Sequence, residues 1–219
     1  MSHILVIVSS HSELAGEPNG TYLPELTHAL HVLDEEGITY DLASPKGGAI
    51  PGYGEDADDL TKTMLADETF AARLQATQPL SEVDVARYDG VFYPGGYGLL
   101  FDLIENADSQ RIAATLFEQG KPISAVCHGP AALSEVTLST GGKLIDGRDV
   151  TGFTREEEVA MSTLDKVPFL LEEKMIDQGG VYRKKAKWQV LVVEDGLLIT
   201  GQNPASAAAV GHALAKALK

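Results

Sequence analysis

The sequence carries a single cysteine, Cys127. An internal disulfide is therefore excluded, which suits a reducing compartment and gives the expectation of a cytoplasmic protein. The same scarcity leaves no Cys/His cluster of metal-ligand spacing, so no metal is expected, and no organic cofactor is expected because thiol chemistry requires none. Basic residues are also few: 17 Lys and Arg stand against 32 Asp and Glu, a net charge of −15. That balance argues against nucleic acid or an anionic membrane as a partner. Long apolar runs are missing. Ile4 to Val8 is too short to span a membrane, and it lacks the basic flank and cleavage site of a signal peptide. No repeat, low-complexity tract or linker divides the chain, so residues 1–219 read as one domain. Its length allows a sizeable core.

What is present centres on Pro122-Ile123-Ser124-Ala125-Val126-Cys127-His128-Gly129-Pro130. Pro122 to Val126 is apolar and bounded by turn residues, as a central strand of a parallel sheet is. Gly129 and Pro130 mark a turn, and Pro suits the first position of the helix that follows. Small residues on both sides of Cys127 allow a tight strand-to-helix turn. This is the nucleophile elbow, with Cys in place of Ser. It marks Cys127 as a reactive nucleophile rather than a small core residue. A helix starting behind the sulfur is expected to lower its pKa and favour the thiolate.

The other elements alternate as in an α/β protein. Ile4 to Val8 reads as the first strand and leads into a polar loop, Ser9 to Gly20. A helix follows, with Pro24 in its first turn, Leu26, Ala29, Leu30 and Leu33 at helical spacing, and Gly37 at its end. Glu25 opens that helix. It is either a carboxylate favoured at a helix N-terminus or an acid or base beside Cys127, and both readings stand. Thr39 to Ala43 reads as strand two, Ala49 to Asp59 as surface cover, and Asp59 to Gln78 as helix. A strand from Gly90 to Tyr93 runs into Pro94-Gly95-Gly96-Tyr97-Gly98 and a helix over Leu99 to Glu105. The glycines there mark either a flexible turn or a place where backbone N–H groups approach a ligand and stabilise an oxyanion, and both readings stand. Ser109 to Gln119 is a crossover helix. Further on, Thr154 reads as an N-cap before Glu156, Glu157 and Glu158. Pro168 to Gln178 is amphipathic. Val181 to Lys185, Gln189 to Val193 and Leu197 to Thr200 read as strands, and a final helix starts at Asn203-Pro204. Trp188 and Phe169 either line the site or pack in the core, and core packing is the favoured reading for both.

These pieces resemble the ThiJ/PfpI superfamily, the class I glutamine amidotransferase-like proteins. The likeness lies in Ala43 to Gly48, Asp89 to Asp102, Ala125 to Pro130, Thr151-Gly152-Phe153-Thr154 and Thr200 to Ser206, in family order. The last two pieces point to the glyoxalase III and heat-shock chaperone branch. The resemblance implies a flavodoxin-like three-layer sandwich, mostly parallel, with helices on both faces, and a homodimer. It implies Cys127 as nucleophile, His128 as its imidazole, Glu25 as the acid close to the thiol, and Glu158 as the triad acid with Glu157 as the alternative. The backbone N–H groups of Gly96 and His128 would form the oxyanion hole. Tyr97 stands where this branch often has His, a departure that bears on substrate choice.

The expected activity is glutathione-independent conversion of a small aldehyde, methylglyoxal or glyoxal, through a Cys127 hemithioacetal. A soft nucleophile with a base in reach fits that chemistry. The alternatives are a peptidase or amidase using Cys127, His128 and Glu158, or a holdase chaperone or redox sensor whose Cys127 oxidises.

Overall fold

The computed structural model describes residues 2–219. Its centre is a seven-stranded sheet built on short apolar runs: β1 (His3–Ile7), β2 (Thr39–Ser44), β3 (Gln78–Pro79), β4 (Val91–Tyr93), β5 (Ile123–Val126), β6 (Val192–Asp195) and β7 (Leu198–Gly201). The strand order is β6-β7-β5-β4-β1-β2-β3. All neighbours pair in parallel except β6 and β7. Strands β4, β5 and β7 are buried along their whole length, as strands covered on both faces must be. Pro79, which cannot donate to a ladder, sits on the edge strand.

Helices α1 (Leu23–Glu35), α2 (Ala107–Glu118) and α3 (Ala207–Ala217) cover the faces of the sheet and complete a flavodoxin-like sandwich. Helix α1 turns Leu26, Leu30 and Leu33 inward and packs along α3, where Gly211 lies so close that a methyl on it would stand 2.9 Å from Ala29 O and 3.1 Å from Val32 Cβ. No helix among the described residues is long and apolar enough to cross a membrane.

Several elements differ from the sequence expectation. The helix expected over Asp59 to Gln78 is two, Asp59–Ala66 and Glu68–Gln75. Asp67 breaks it, because its side chain caps the second helix by accepting from Phe70 N–H at 2.8 Å. Residues beyond it extend into β3. The helices expected over Leu99 to Glu105 and Pro168 to Gln178 shrink to Leu99–Asp102 and Leu171–Asp177. Val181–Tyr182 pairs with Asp149–Val150 outside the main sheet, and residues 183–190 run exposed without regular structure. Gly52–Tyr53, expected only to cover the surface, pairs in parallel with Thr21–Tyr22 and is drawn to the carboxyl edge of the sheet.

Where β5 ends, the chain turns sharply. Cys127 has φ +60°, the left-handed region that a side chain occupies at a cost of about 1–3 kcal/mol. Its N–H donates to Gly201 O at 2.9 Å and its carbonyl accepts from Phe153 N–H at 2.9 Å, so neighbouring segments fix the turn. Gly129 completes it. A methyl there would lie 2.5 Å from Tyr93 O, 2.8 Å from Pro94 O and 2.9 Å from Val126 O, all backbone atoms that cannot yield. Gly129→Ala is therefore expected to destabilise the protein by about 3 kcal/mol or more, measured by denaturant unfolding against wild type.

Candidate active site

In a parallel sheet the crevice lies beyond the carboxyl ends of the strands. Four such ends meet here: Ser9 after β1, Pro94 to Tyr97 after β4, Cys127 after β5, and Gln202-Asn203 after β7. Helix α1 begins at the same edge. Pro24 fixes its first turn, which directs Glu25 inward.

Glu25 is fully buried, and neither carboxyl oxygen makes a well-formed hydrogen bond. The nearest polar groups are the Cys127 thiol and the Gly95 N–H. The packing is tight: a methyl on Gly95 would lie 2.1 Å from Glu25 Oε2 and 2.7 Å from Cys127 Cβ. Burial raises the Glu25 pKa from 4.5 to about 8, against the lowering influence of the thiol and the Gly95 N–H. Cys127 is shifted in the same direction, first by burial and then by the Glu25 charge. The expected thiolate is thus corrected. The helix behind the sulfur spans only Ala131–Ser134, and its dipole does not offset removal of the sulfur from water beside an acid.

His128 follows the turn with its ring enclosed between Tyr97 and Phe153, each 4.5 Å away centroid to centroid. Its Nδ1 stands 3.5 Å from Cys127 Sγ and its Nε2 2.7 Å from Glu158 Oε1. The Nε2–H donates to Glu158, which leaves the Nδ1 lone pair toward the sulfur. The second oxygen of Glu158 faces the Thr163 hydroxyl and, at 3.5 Å, the Tyr97 hydroxyl. Tyr97 Oη and Thr163 Oγ1 are 3.1 Å apart. Ser162, left-handed at φ +57°, ends the short helix Arg155–Met161 and curls Thr163 back onto Glu158.

Of the two adjacent glutamates, Glu158 meets the imidazole and Glu157 does not. Glu157 closes a capping box with Thr154, accepting from its N–H at 3.0 Å and its hydroxyl at 2.9 Å. Its other oxygen accepts from Trp188 N–H, Gln202 Nε2 and Asn203 Nδ2 at 2.9, 3.1 and 2.8 Å. With five donors, Glu157 ties three segments together.

Gly95 packs against Glu25 and Cys127, and Gly96 against residues 20–22. Gly95 O accepts from Tyr22 N–H at 3.0 Å. Gly96 has φ +117°, and a methyl there would strike Gly20 O and Tyr22 N at 2.3 and 2.5 Å. The His128 N–H faces the Cys127 sulfur. Above Cys127 opens a cavity of about 370 Å³ walled by Tyr22, Tyr53, Tyr97, Phe153, Met161 and Trp188. A hollow of about 400 Å³ beside Asp34, Tyr40 and Arg73 reaches neither Cys127 nor His128. Among the described residues, no group of three or more His, Cys, Asp or Glu side chains is placed to hold a metal ion.

Sequence reasoning missed Tyr22, Tyr53, Met161 and Thr163. It favoured core packing for Trp188 over a place at the site, yet Trp188 is 42% exposed and lines the cavity. Phe169 is packed against the core, half-buried. Tyr97, beside the glycine pair, and the Thr-Gly-Phe-Thr motif, which carries Phe153, signalled part of this wall.

The profile of the DJ-1/PfpI family matches residues 18–217. "Glyoxalase 3" of Candida albicans is 31% identical over 225 residues, covering 94% of this chain and 94% of that one. The crystal structure of glyoxalase III from Candida albicans superposes with a TM-score of 0.90 at 28% identity, covering 100% and 98% of the two chains. The Rapid Encystment Protein of 24 kDa from Francisella tularensis superposes with a TM-score of 0.96 at 31% identity, covering 100% of each.

The raised Glu25 pKa sets a pH dependence of stability. The folded state retains a proton that the unfolded chain releases above 4.5, so stability is full below that pH and declines as pH rises toward about 8. Glu25→Gln removes the charge. It is expected to gain about 4 kcal/mol over wild type near pH 8 and nothing near pH 4, read from urea unfolding at both pH values.

Proposed function

The chain belongs to the DJ-1/PfpI family, and from that premise we propose that it is a glutathione-independent glyoxalase, converting methylglyoxal and water to lactate with Cys127 as nucleophile. The observation that carries this reading is the pairing of a buried thiol with a buried, proton-holding carboxyl, Glu25, beneath the cavity. Similarity to Glyoxalase 3 supports the same reaction class.

His128 Nδ1 takes the thiol proton as the sulfur adds to the aldehyde carbon. Glu25 gives its proton to the carbonyl oxygen, and a hemithioacetal forms. Glu25, now ionised, removes the hydrogen from that carbon and returns it to the neighbouring ketone carbon through an enediol. His128 moves the second proton, from the hydroxyl of the first carbon to the oxygen of the second. The product is the lactoyl thioester of Cys127. Water cleaves it, lactate leaves, the thiol regains its hydrogen, and His128 passes its extra proton back to Glu25. The N–H groups of Gly96 and His128 serve the developing oxyanions. Glu158 holds the imidazole in the tautomer that faces the sulfur.

The His128–Glu158 contact favours one other reading, a peptidase or amidase with a Cys127-His128-Glu158 triad. Glu25 separates the two, since a triad hydrolase has no use for a proton shuttle between carbons. A homodimer and a cytoplasmic setting belong to the same proposal, supported by exposed Val159, Met161 and Val190 and by the free thiol. Sedimentation of the pure protein tests the dimer.

The function is tested by lactate formation from methylglyoxal without glutathione. Cys127→Ala is expected to form none above the uncatalysed rate. Glu25→Gln should fall by about 10²–10⁴, while Glu158→Gln falls less. Peptide-amide cleavage that survives Glu25→Gln, with no lactate formed by wild type, would establish the hydrolase instead. Because the addition step uses protonated Glu25, kcat/KM is expected to decline as pH rises through about 8, in a pH series of initial lactate rates.

A further inference from the structure

The cavity is large for a three-carbon aldehyde. Its volume of about 370 Å³ is more than twice the roughly 150 Å³ that accommodates benzene in an apolar protein interior. Aromatic rings form its walls in two pairs. Tyr22 and Tyr53 have centroids 5.0 Å apart at 39°, and Phe153 and Trp188 have centroids 5.9 Å apart at 55°. Such spacings and tilts are those of favourable ring pairs, and a third ring can extend them. No Lys or Arg lines the space. A phosphate or carboxylate on the substrate would lose its water there without gaining a cation.

Trp188 is fixed in this wall by its backbone. Its φ of +67° lies in the left-handed region, which is costly for a bulky side chain. Its N–H donates to Glu157 Oε1, an oxygen that also receives Gln202 and Asn203. Glu157 is itself fully buried. A large apolar ring is thus held at a half-open mouth, in a loop whose other residues from 183 to 190 are exposed. Local preference alone would place neither that ring nor that φ there.

We infer that the site takes 2-oxoaldehydes bearing an aryl or bulky apolar group in preference to methylglyoxal, and that Trp188 determines this preference. The inference rests on the glyoxalase reading above. The aldehyde carbon meets Cys127 and the apolar group lies between Trp188 and the tyrosine pair. Phenylglyoxal and water then give mandelate by the same steps: a C–S bond forms and is hydrolysed, and one hydrogen moves from the aldehyde carbon to its neighbour. No oxidant or reductant enters.

The test has two arms. In the first, mandelate from phenylglyoxal and lactate from methylglyoxal are measured without glutathione for wild type, Trp188→Ala and Trp188→Phe. Wild type is expected to show a kcat/KM about tenfold higher for phenylglyoxal. That ratio should fall about tenfold in Trp188→Ala and largely return in Trp188→Phe. A wild-type ratio of one or below, or a ratio that Trp188→Ala leaves in place, overturns the inference. The second arm needs no turnover. Trp188 is the chain's only tryptophan, so its emission reports occupancy directly. Cys127→Ala is titrated with acetophenone and with acetone, correcting for absorption by the ring. Saturable quenching by acetophenone at about tenfold lower concentration, or lower still, supports the inference. Equal or absent responses overturn it. If neither aldehyde is turned over while acetophenone saturates, the glyoxalase reading fails and the preference of the cavity stands.

Discussion

A carboxyl group sealed from water beside a thiol is the constraint on which the site depends. Glu25 and Cys127 lie in a region too dry and too poor in donors to stabilise two negative charges. The pair therefore keeps at least one proton, and burial pushes both groups toward their protonated forms. The surrounding backbone reflects this. Position 95 has no room for a Cβ beside Glu25 Oε2. Pro24 aims the first turn of α1 at the sulfur. The left-handed turn at Cys127 lifts the side chain off the sheet and into the same space. An acid whose pKa sits near the working pH can both give and take a proton, which a carbon-to-carbon hydrogen transfer requires.

The adjacent glutamates Glu157 and Glu158 illustrate how one helical turn serves two ends. Successive residues on a helix point about 100° apart, so the two carboxyls enter different surroundings. Glu158 meets His128 and Thr163, and so bears on the thiol through the imidazole. Glu157 meets five donors and binds together the helix cap, the Trp188 backbone and the turn after β7. The shape of the cavity and the orientation of the imidazole are consequently set from one short helix, Arg155–Met161. A disturbance of its Thr154 cap would reach both.

The mostly parallel α/β class, the elbow and the residues that gather at it were legible because each leaves a local mark. Apolar runs bounded by glycine and proline locate the strands, and small residues around Cys127 announce the turn. The choice between Glu157 and Glu158 was not legible from the run of three acids. It depends on Trp188, Gln202 and Asn203 claiming one of them from distant parts of the chain. The cavity wall was less legible still. Tyr53 reaches the site only because Gly52–Tyr53 pairs with Thr21–Tyr22, and Trp188 only because its backbone adopts an unfavourable φ. Neither leaves a periodic pattern. The thiol expectation failed for a related reason. A helix start is visible in sequence, but its length of four residues and the burial of the sulfur are not.

Glu25 is expected to hold its proton beside Cys127 at neutral pH. Infrared difference spectroscopy of wild type against Glu25→Gln observes that proton directly. The account predicts a protonated carboxyl C=O band near pH 6 that is absent from the variant, and that fades in wild type as pH rises through about 8. A wild-type spectrum that shows only the carboxylate stretch of Glu25 at pH 6 would contradict it.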